Sequence, residues 1–344
     1  MASTGISTDS PVTKKHWDEI AFREVRKDMF IDKYMGTSKD SMILEKTKLL
    51  KEPGDKITFT IYPRQETQVV LGSSGQSLEG REGEIKYFTD SINLEEYKMG
   101  FRWKNGVDGK RPWFSIPDEA AEGLDQFSSE TLDDLWFVAI QDSPSRSIWG
   151  GGKTATADLT ALDKMSPALV RRARALGKTG FANGSNARAT YPFKPVVVNG
   201  KKYFVLLVHP YACYDMKSNA EYQGYVKEAE RRGPDNPIFK DAVAIIDSVI
   251  IIEHENIQIL PHPTTAGLYY CTGVLLGAGS SLWAWGKRPE TVNKSFGYDE
   301  ETGVGRKFIS KTKKTSFKFT SAGSAEDYCS CGVTFTVTNV ATSQ

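Results

Sequence analysis

The chain has 344 residues, 39% hydrophobic and 25% charged, with a formal net charge of only +1. That composition excludes collagen-like, coiled-coil and wholly disordered classes, and the length calls for more than one packing unit. The near-zero charge leaves no strong basic excess for neutralising nucleic-acid phosphates, so any DNA contact is expected to be local and weak.

The first residues, "MASTGISTDSPVTKKHWDE", contain no apolar stretch suited to secretion and read as a loose arm. Trp17, Ile20, Phe22, Val25, Met29 and Phe30 then recur at helical intervals, with Gly36 at the expected stop. In "DKITFTIYPR", Ile57, Phe59 and Ile61 alternate with Thr58, Thr60 and Tyr62, the period of a strand. A second strand, "EEYKMGFRWK", answers it, with a weaker extension back through "EIKYFTDSIN". Between them "LGSSGQSLEGREGE", Leu71 to Glu84, far exceeds an ordinary hairpin loop. The pair therefore reads as a long ribbon with a polar tip, and an isolated ribbon must pack on something else.

Next, Ser115, Pro117 and Asp118 signal a helix start, and Leu124, Phe127, Thr131, Leu132, Leu135, Trp136, Ala139 and Ile140 carry three-four spacing for about 24 residues. A spine helix is expected. "SPALVRRARALGK" predicts a further helix, and "PVVVNGKKYFVLLVHP" a hairpin turning at Asn199 and Gly200. "EYQGYVKEAERRG" is expected as a surface helix, and "SVIIIEHENIQIL", "GVLLGAGSSLWAW" and "CGVTFTVTNV" as one strand each. The whole is mixed α and β. The longest apolar run, "DAVAIIDSVIIIEHENI", is broken by Asp247 and Ser248 and is too short to span a membrane. Cys213, Cys271, Cys329 and Cys331 are too few for a disulfide framework and fit a reducing compartment.

"SIWGGGKTATADLT" ends like a phosphate loop but has Ser147 where the first glycine belongs, so a flexible connector is the plainer reading. "LLGAGSSLW" has Gly277 and Gly279 but Leu282 in place of a third glycine, which gives cofactor binding no support. Glu253, His254, Glu255 and His262 invite a metal, yet strand geometry sends Glu253 and Glu255 to the face opposite His254. Cys329 and Cys331 are too close together for a zinc knuckle. His209, at a strand end before Pro210, is the strongest candidate general base of a hydrolase-like enzyme. No G-x-S-x-G elbow accompanies it, and a structural role that satisfies loop carbonyls is the simpler expectation.

The order of parts (arm, ribbon, spine helix, second mixed lobe) resembles a tailed-phage major capsid protein with the fold named after coliphage Hong Kong 97. "YMGTSKDSMI", "LKEPGDKITFTIYPR", "LEGREGEI", "GKRPWFSIPDEAAEGLDQFSSETLDDLWF", "VLLVHPYACYDMKS", "AERRGPDNPIFKDAVAIIDSVIIIEHE" and "GVLLGAGSSLWAWGKRPE" are similar, more narrowly, to the capsid family of N-four-like short-tailed phages. Lys240, after "NPIF", departs from that pattern, where a glycine is usual. The resemblance implies an α+β Hong Kong 97-type fold. It divides the chain into an arm and helix at 1–50, an extended loop at 51–110, a peripheral domain with the spine helix at 111–200, an axial domain at 201–325 and a C-terminal strand at 326–344 that returns to the peripheral domain. It implies a non-enzymatic virion subunit, made in the host cytoplasm, that forms hexamers and pentamers around double-stranded DNA. It implies neither cofactor nor membrane, and names scaffold or cement proteins as further partners. Trp17 and Phe22 in the arm, with Leu71, Leu78, Glu79, Arg81 and Glu82 in the loop, are the expected contacts between subunits. A minor virion protein would share the same arm-and-ribbon logic at lower copy number.

Overall fold

Strand and helix periods in the sequence translate directly into most of the elements of the computed structural model. It describes residues 29–47, 50, 54–62, 79, 81–83, 85, 87–105, 116–180, 192–198, 200–224, 244–318 and 325–338. In chain order these form a 3-10 turn at Phe30–Tyr34, then β1 (Met35–Gly36), β2 (Ile43–Lys46), β3 (Lys56–Ile61), β4 (Phe88–Asn93) and β5 (Glu95–Lys104). Helix α1 (Ile116–Gln141), β6 (Ser147–Trp149), α2 (Pro167–Thr179), β7 (Val196–Val198), β8 (Lys201–Val208) and α3 (Pro210–Lys217) follow. The remainder is β: β9 (Ala244–Ile246), β10 (Val249–Glu253), β11 (Ile259–Pro261), β12 (Tyr269–Leu276), β13 (Ser281–Phe296), β14 (Glu301–Lys314), β15 (Ser316–Phe317), β16 (Glu326–Asp327) and β17 (Ser330–Val337).

Two compact units are interleaved along the chain. The first draws on Met1–Ile57, Ile92–Ala139 and Ser281–Lys313, the second on Thr58–Ser91, Ile140–Ser280 and Lys314–Gln344. Each unit thus takes several stretches where the sequence reading drew continuous segments.

The first unit is a five-stranded sheet, in the order β1-β2-β13-β14-β5, with α1 packed on it. Ala120, Leu124, Ser128, Leu132 and Trp136 recur every fourth residue of α1 and are all buried. Phe127, expected on the apolar face, is instead exposed, because the buried stripe runs through the residue after it. Trp136 donates its indole N–H to Ser281 Oγ at 3.0 Å. From β14, Val304, Arg306, Phe308, Ser310 and Thr312 are buried at two-residue intervals. Arg306 pairs with Asp125 and donates to Ser128 Oγ at 3.1 Å, which ties β14 to α1 through a buried ion pair. β5 pairs antiparallel with β14 from Glu301↔Lys104 to Ser310↔Glu95, and Tyr97 stacks on Phe308 with ring centroids 5.2 Å apart. Gly100 suits this close approach, since a Cβ there would lie 2.9 Å from the Val304 carbonyl oxygen.

Four sequence expectations change here. β5 does not pair with β3. The ribbon is β3 with β4, closed at its base by Leu94 N–H donating to the Asp55 carbonyl at 2.8 Å, and β5 goes to the larger sheet. The stretch expected as one strand over 273–285 is two strands, β12 and β13, separated by a turn in which Gly279 has a φ of +71°. The strand expected over 248–260 ends at Glu253, because His254 Nδ1 accepts the Asn256 N–H at 3.2 Å and turns the chain. The expected first helix lies largely outside the described residues. Its described end is extended at Met29 and continues as the 3-10 turn, so Gly36 is a strand residue. Asp133 of α1 fixes that path by accepting the Phe30 N–H at 3.0 Å and the Ile31 N–H at 3.4 Å.

The second unit is an eight-stranded sheet, β6-β17-β12-β8-β10-β9, with β11 on β12 and β7 on β8. Every residue of β17 is buried, and so are Phe204 to Val208 of β8, as in a sheet covered on both faces. Thr336 is accommodated there by donating Oγ1–H to the Thr160 carbonyl at 2.9 Å, and Thr334 by a 3.1 Å bond with Thr272. The β7–β8 hairpin turns after Val198↔Lys201 with Gly200 at φ +76°, as its Asn-Gly signal predicts. Helix α2 starts at Ser166, whose Oγ accepts the Leu169 N–H at 3.4 Å. The expected surface helix over 221–233 is helical through 224, and the rest lies outside the described residues, as does Lys240.

Candidate functional site

β8 carries an unbroken apolar run into the sheet, and Pro210 then sets the first turn of α3. This places His209 at the helix N-cap. Its Nδ1 accepts the Tyr211 N–H at 3.1 Å, and its ring meets the Tyr211 ring edge-on at 4.8 Å. The expected structural role holds in kind, but the ring satisfies a backbone N–H rather than a carbonyl. Burial holds the His209 pKa below the usual histidine range, with Glu255 opposing. Nearby thiols are no better placed for chemistry. Burial pushes Cys213 up to about 12, with Glu253 adding to the rise, and burial pushes Cys271 up to about 12. Both remain protonated at neutral pH, so neither is a ready nucleophile for a histidine whose Nδ1 is already engaged.

The other described histidines repeat this use. His254 Nδ1 accepts from Asn256, and buried His262 accepts the Thr265 N–H at 3.1 Å while Nε2 donates to the Thr156 carbonyl at 2.8 Å. Among the described residues no group of three or more His, Cys, Asp or Glu side chains is arranged to hold a metal. Cys329 and Cys331 are free, buried thiols. The glycine connector is pinned rather than loose: Asp163 lies against Gly150 and Gly151 and accepts from the Thr160 N–H and hydroxyl, both at 2.8 Å. A carboxylate at that position opposes phosphate binding.

What remains is surface. Trp17, Phe22, Leu71 and Leu78 lie outside the described residues, while Glu79, Arg81 and Glu82 are described and exposed. On the ribbon the structure adds residues that sequence reasoning missed: Tyr62, Ile85 and Tyr87 are 70%, 72% and 64% exposed. Their signal was available in the strand alternation, which continues past both strand ends into the loop. Large apolar side chains this open, on a two-stranded ribbon, form a surface that burial would stabilise by about 1.5–3 kcal/mol per side chain.

A family model described as phage capsid protein matches residues 5–148 and 143–342. The major capsid protein of Pseudomonas phage KPP25 is 22% identical over 335 residues, covering 85% of this chain and 86% of that protein. Among solved structures, the capsid of Ralstonia phage GP4 superposes with a TM-score of 0.78 at 21% identity, covering 98% of this chain and 99% of that one. The acid-stable capsid of Helicobacter pylori bacteriophage KHP30 gives 0.71 at 15% identity, with 89% and 91% covered. The Cyanophage Pam1 capsid gives 0.71 at 16%, with 90% and 92% covered. The fold is the α+β Hong Kong 97 type.

Proposed function

The chain belongs to the phage capsid protein family, and on that footing we propose that it is the major capsid protein, whose copies close into the icosahedral shell of the virion. The observation that carries this reading beyond membership is the ribbon, whose exposed Tyr62, Ile85 and Tyr87 have no use in a solitary subunit.

In this reading the ribbon and the arm lie over neighbouring subunits, with Trp17, Phe22, Leu71, Leu78, Glu79, Arg81 and Glu82 at the contacts. The unit built on α1 is peripheral, and the eight-stranded unit is axial, around the centre of each hexamer or pentamer. The net charge of +1 suits repeated self-association and only weak contact with the enclosed double-stranded DNA. Assembly takes place in the host cytoplasm, with scaffold or cement proteins as further partners, and the subunit catalyses nothing. The kinship with N-four-like phages belongs to the same proposal. Among the described residues no helix is long and apolar enough to cross a membrane.

Deleting residues 71–84 tests the ribbon's role. The expected product is a folded subunit that forms no closed shells, read by sedimentation and electron microscopy beside the intact protein. Normal shells from the deletion would overturn it.

A further inference from the structure

Helix α2 concentrates a charge that the rest of the chain balances. Its 13 residues include Arg171, Arg172, Arg174 and Lys178 and no acid, in a chain whose formal net charge is +1. Among the described helices, α1 has no basic residue and α3 sets Lys217 against Asp215. Leu169, Val170, Ala173 and Gly177 of α2 are buried, and a Cβ at Gly177 would meet Leu275 of β12 at 3.7 Å, so this side faces the sheet. At about 100° per residue, Arg171, Arg174 and Lys178 recur along one side of the outer surface. Exposed Ala168 and Ala175 lie next to them, and exposed Arg172 stands beyond the alanines. Two such short side chains put no bulk between the cations and a flat partner.

Most of this charge has no counterpart within the subunit. Arg171 pairs with Glu221, and Arg172 Nη1 donates to the Trp149 carbonyl at 3.4 Å. Among the described residues no carboxylate pairs with Arg172, Arg174 or Lys178, and the buried Nε of Arg174 has no hydrogen-bond partner. The five-stranded sheet is also rich in cations but differs in this respect. There Lys98 pairs with Glu96, Arg102 with Glu301, Lys311 with Glu95, and Lys287 and Lys307 both with Glu290. A cation already neutralised by a neighbouring carboxylate gains little from a phosphate, whereas an unpaired one gains the attraction and releases the counterions the phosphate held. Along the helix axis Arg171 and Lys178 are about 10 Å apart, the rise of about three nucleotides of one DNA strand.

We propose that the outer side of α2 is where the subunit touches double-stranded DNA, through phosphates and without regard to base sequence. This rests on the shell function proposed above and turns that side of the eight-stranded unit toward the enclosed DNA. Each subunit engages only a few phosphates, so a single contact is weak. Repetition over many linked subunits makes the total large.

The test uses the full chain, kept unassembled at low concentration, and a short fluorescent DNA duplex whose anisotropy is followed through a salt series. Each neutralised phosphate contributes about 0.9 to the slope of log affinity against log salt. Arg172→Gln with Lys178→Gln is expected to make that slope shallower by about 2, and Lys178→Gln alone by about 1. Both positions are exposed, so neither change reaches the core. Lys98→Gln with Lys311→Gln, on the five-stranded sheet, should leave the slope as it is in the parent. An unchanged slope in the α2 variants, an equal loss from the sheet variant, or a parent that binds no duplex would overturn the site. Shell formation is scored separately by electron microscopy. Variants that lose shells while keeping the parent's slope would assign α2 to a contact between copies and would also overturn the site. A parent that binds DNA through α2 but forms no shells would leave the site standing and remove the shell function, so the two failures are distinguishable.

Discussion

The two sheets bury their residues in different ways. In the eight-stranded unit, β17 is covered along its whole length and on both faces. In the five-stranded unit, β5 is mostly exposed, and β14 buries only every second residue, with Arg306, Ser310 and Thr312 among those buried. The first arrangement gains stability from apolar area and is intolerant of any change in volume. The second depends on a few polar ties and leaves one face open.

The largest effect should come from the doubly covered sheet. Phe335→Ala in β17 is expected to cost about 3–5 kcal/mol in denaturant unfolding, whereas Phe101→Ala in β5, where the ring is 48% exposed, should cost about 1 kcal/mol or less. Similar losses at the two positions would erase the contrast. Next, Arg306→Ala strands Asp125 beneath the sheet and should destabilise by about 3 kcal/mol. The pair Arg306→Leu with Asp125→Leu should recover most of that loss, and a double variant as weak as the single would show that the tie does more than neutralise itself. The smallest effect concerns His209. Its folded pKa lies below the ordinary histidine value, so the unfolded chain takes up the proton first. The stability tied to the neutral ring is therefore complete above the unfolded value, about 6.5, and is lost as the pH falls through the folded one. His209→Asn keeps a capping acceptor but cannot titrate in this range. The variant should lose less melting temperature than the parent between pH 7.5 and 5.5, and equal losses would remove His209 from the acid response.

Much of this organisation was legible in the residues. "EEYKMGFRWK" became β5 with its limits unchanged, because its alternation is strict, and the Asn-Gly hairpin and α2 followed from signals that act locally. The β13–β14 hairpin was hidden for two physical reasons. Its turn uses positive φ at Tyr298 and Asp299 beside Gly297, not a simple Asn-Gly pair, and the buried side of β14 is written in Arg, Ser and Thr, which erases the two-residue hydrophobic period. The pairing of β5 could not be read without that partner. The sequence marks His209 as a strand end, but Pro210 opens α3, a helix with little apolar periodicity to announce it. Of the expected contacts, Trp17, Phe22, Leu71 and Leu78 lie outside the described residues, and the alternation that runs past both ribbon strands marks Tyr62, Ile85 and Tyr87 without telling that their side chains stay exposed.

The interleaving of the two units has a consequence for synthesis. β2, beyond its two-residue pairing with β1, gains its longer parallel neighbour only when residues 281–284 have been made, and β12 gains its long antiparallel neighbour only at 330–337. At about 5–20 residues per second, a ribosome needs on the order of tens of seconds to supply them. Throughout that interval a growing chain displays neither finished sheet, and hence no finished surface for another subunit to recognise. Polymerisation on the polysome, where nascent copies are crowded together, is thereby delayed until each copy is nearly whole.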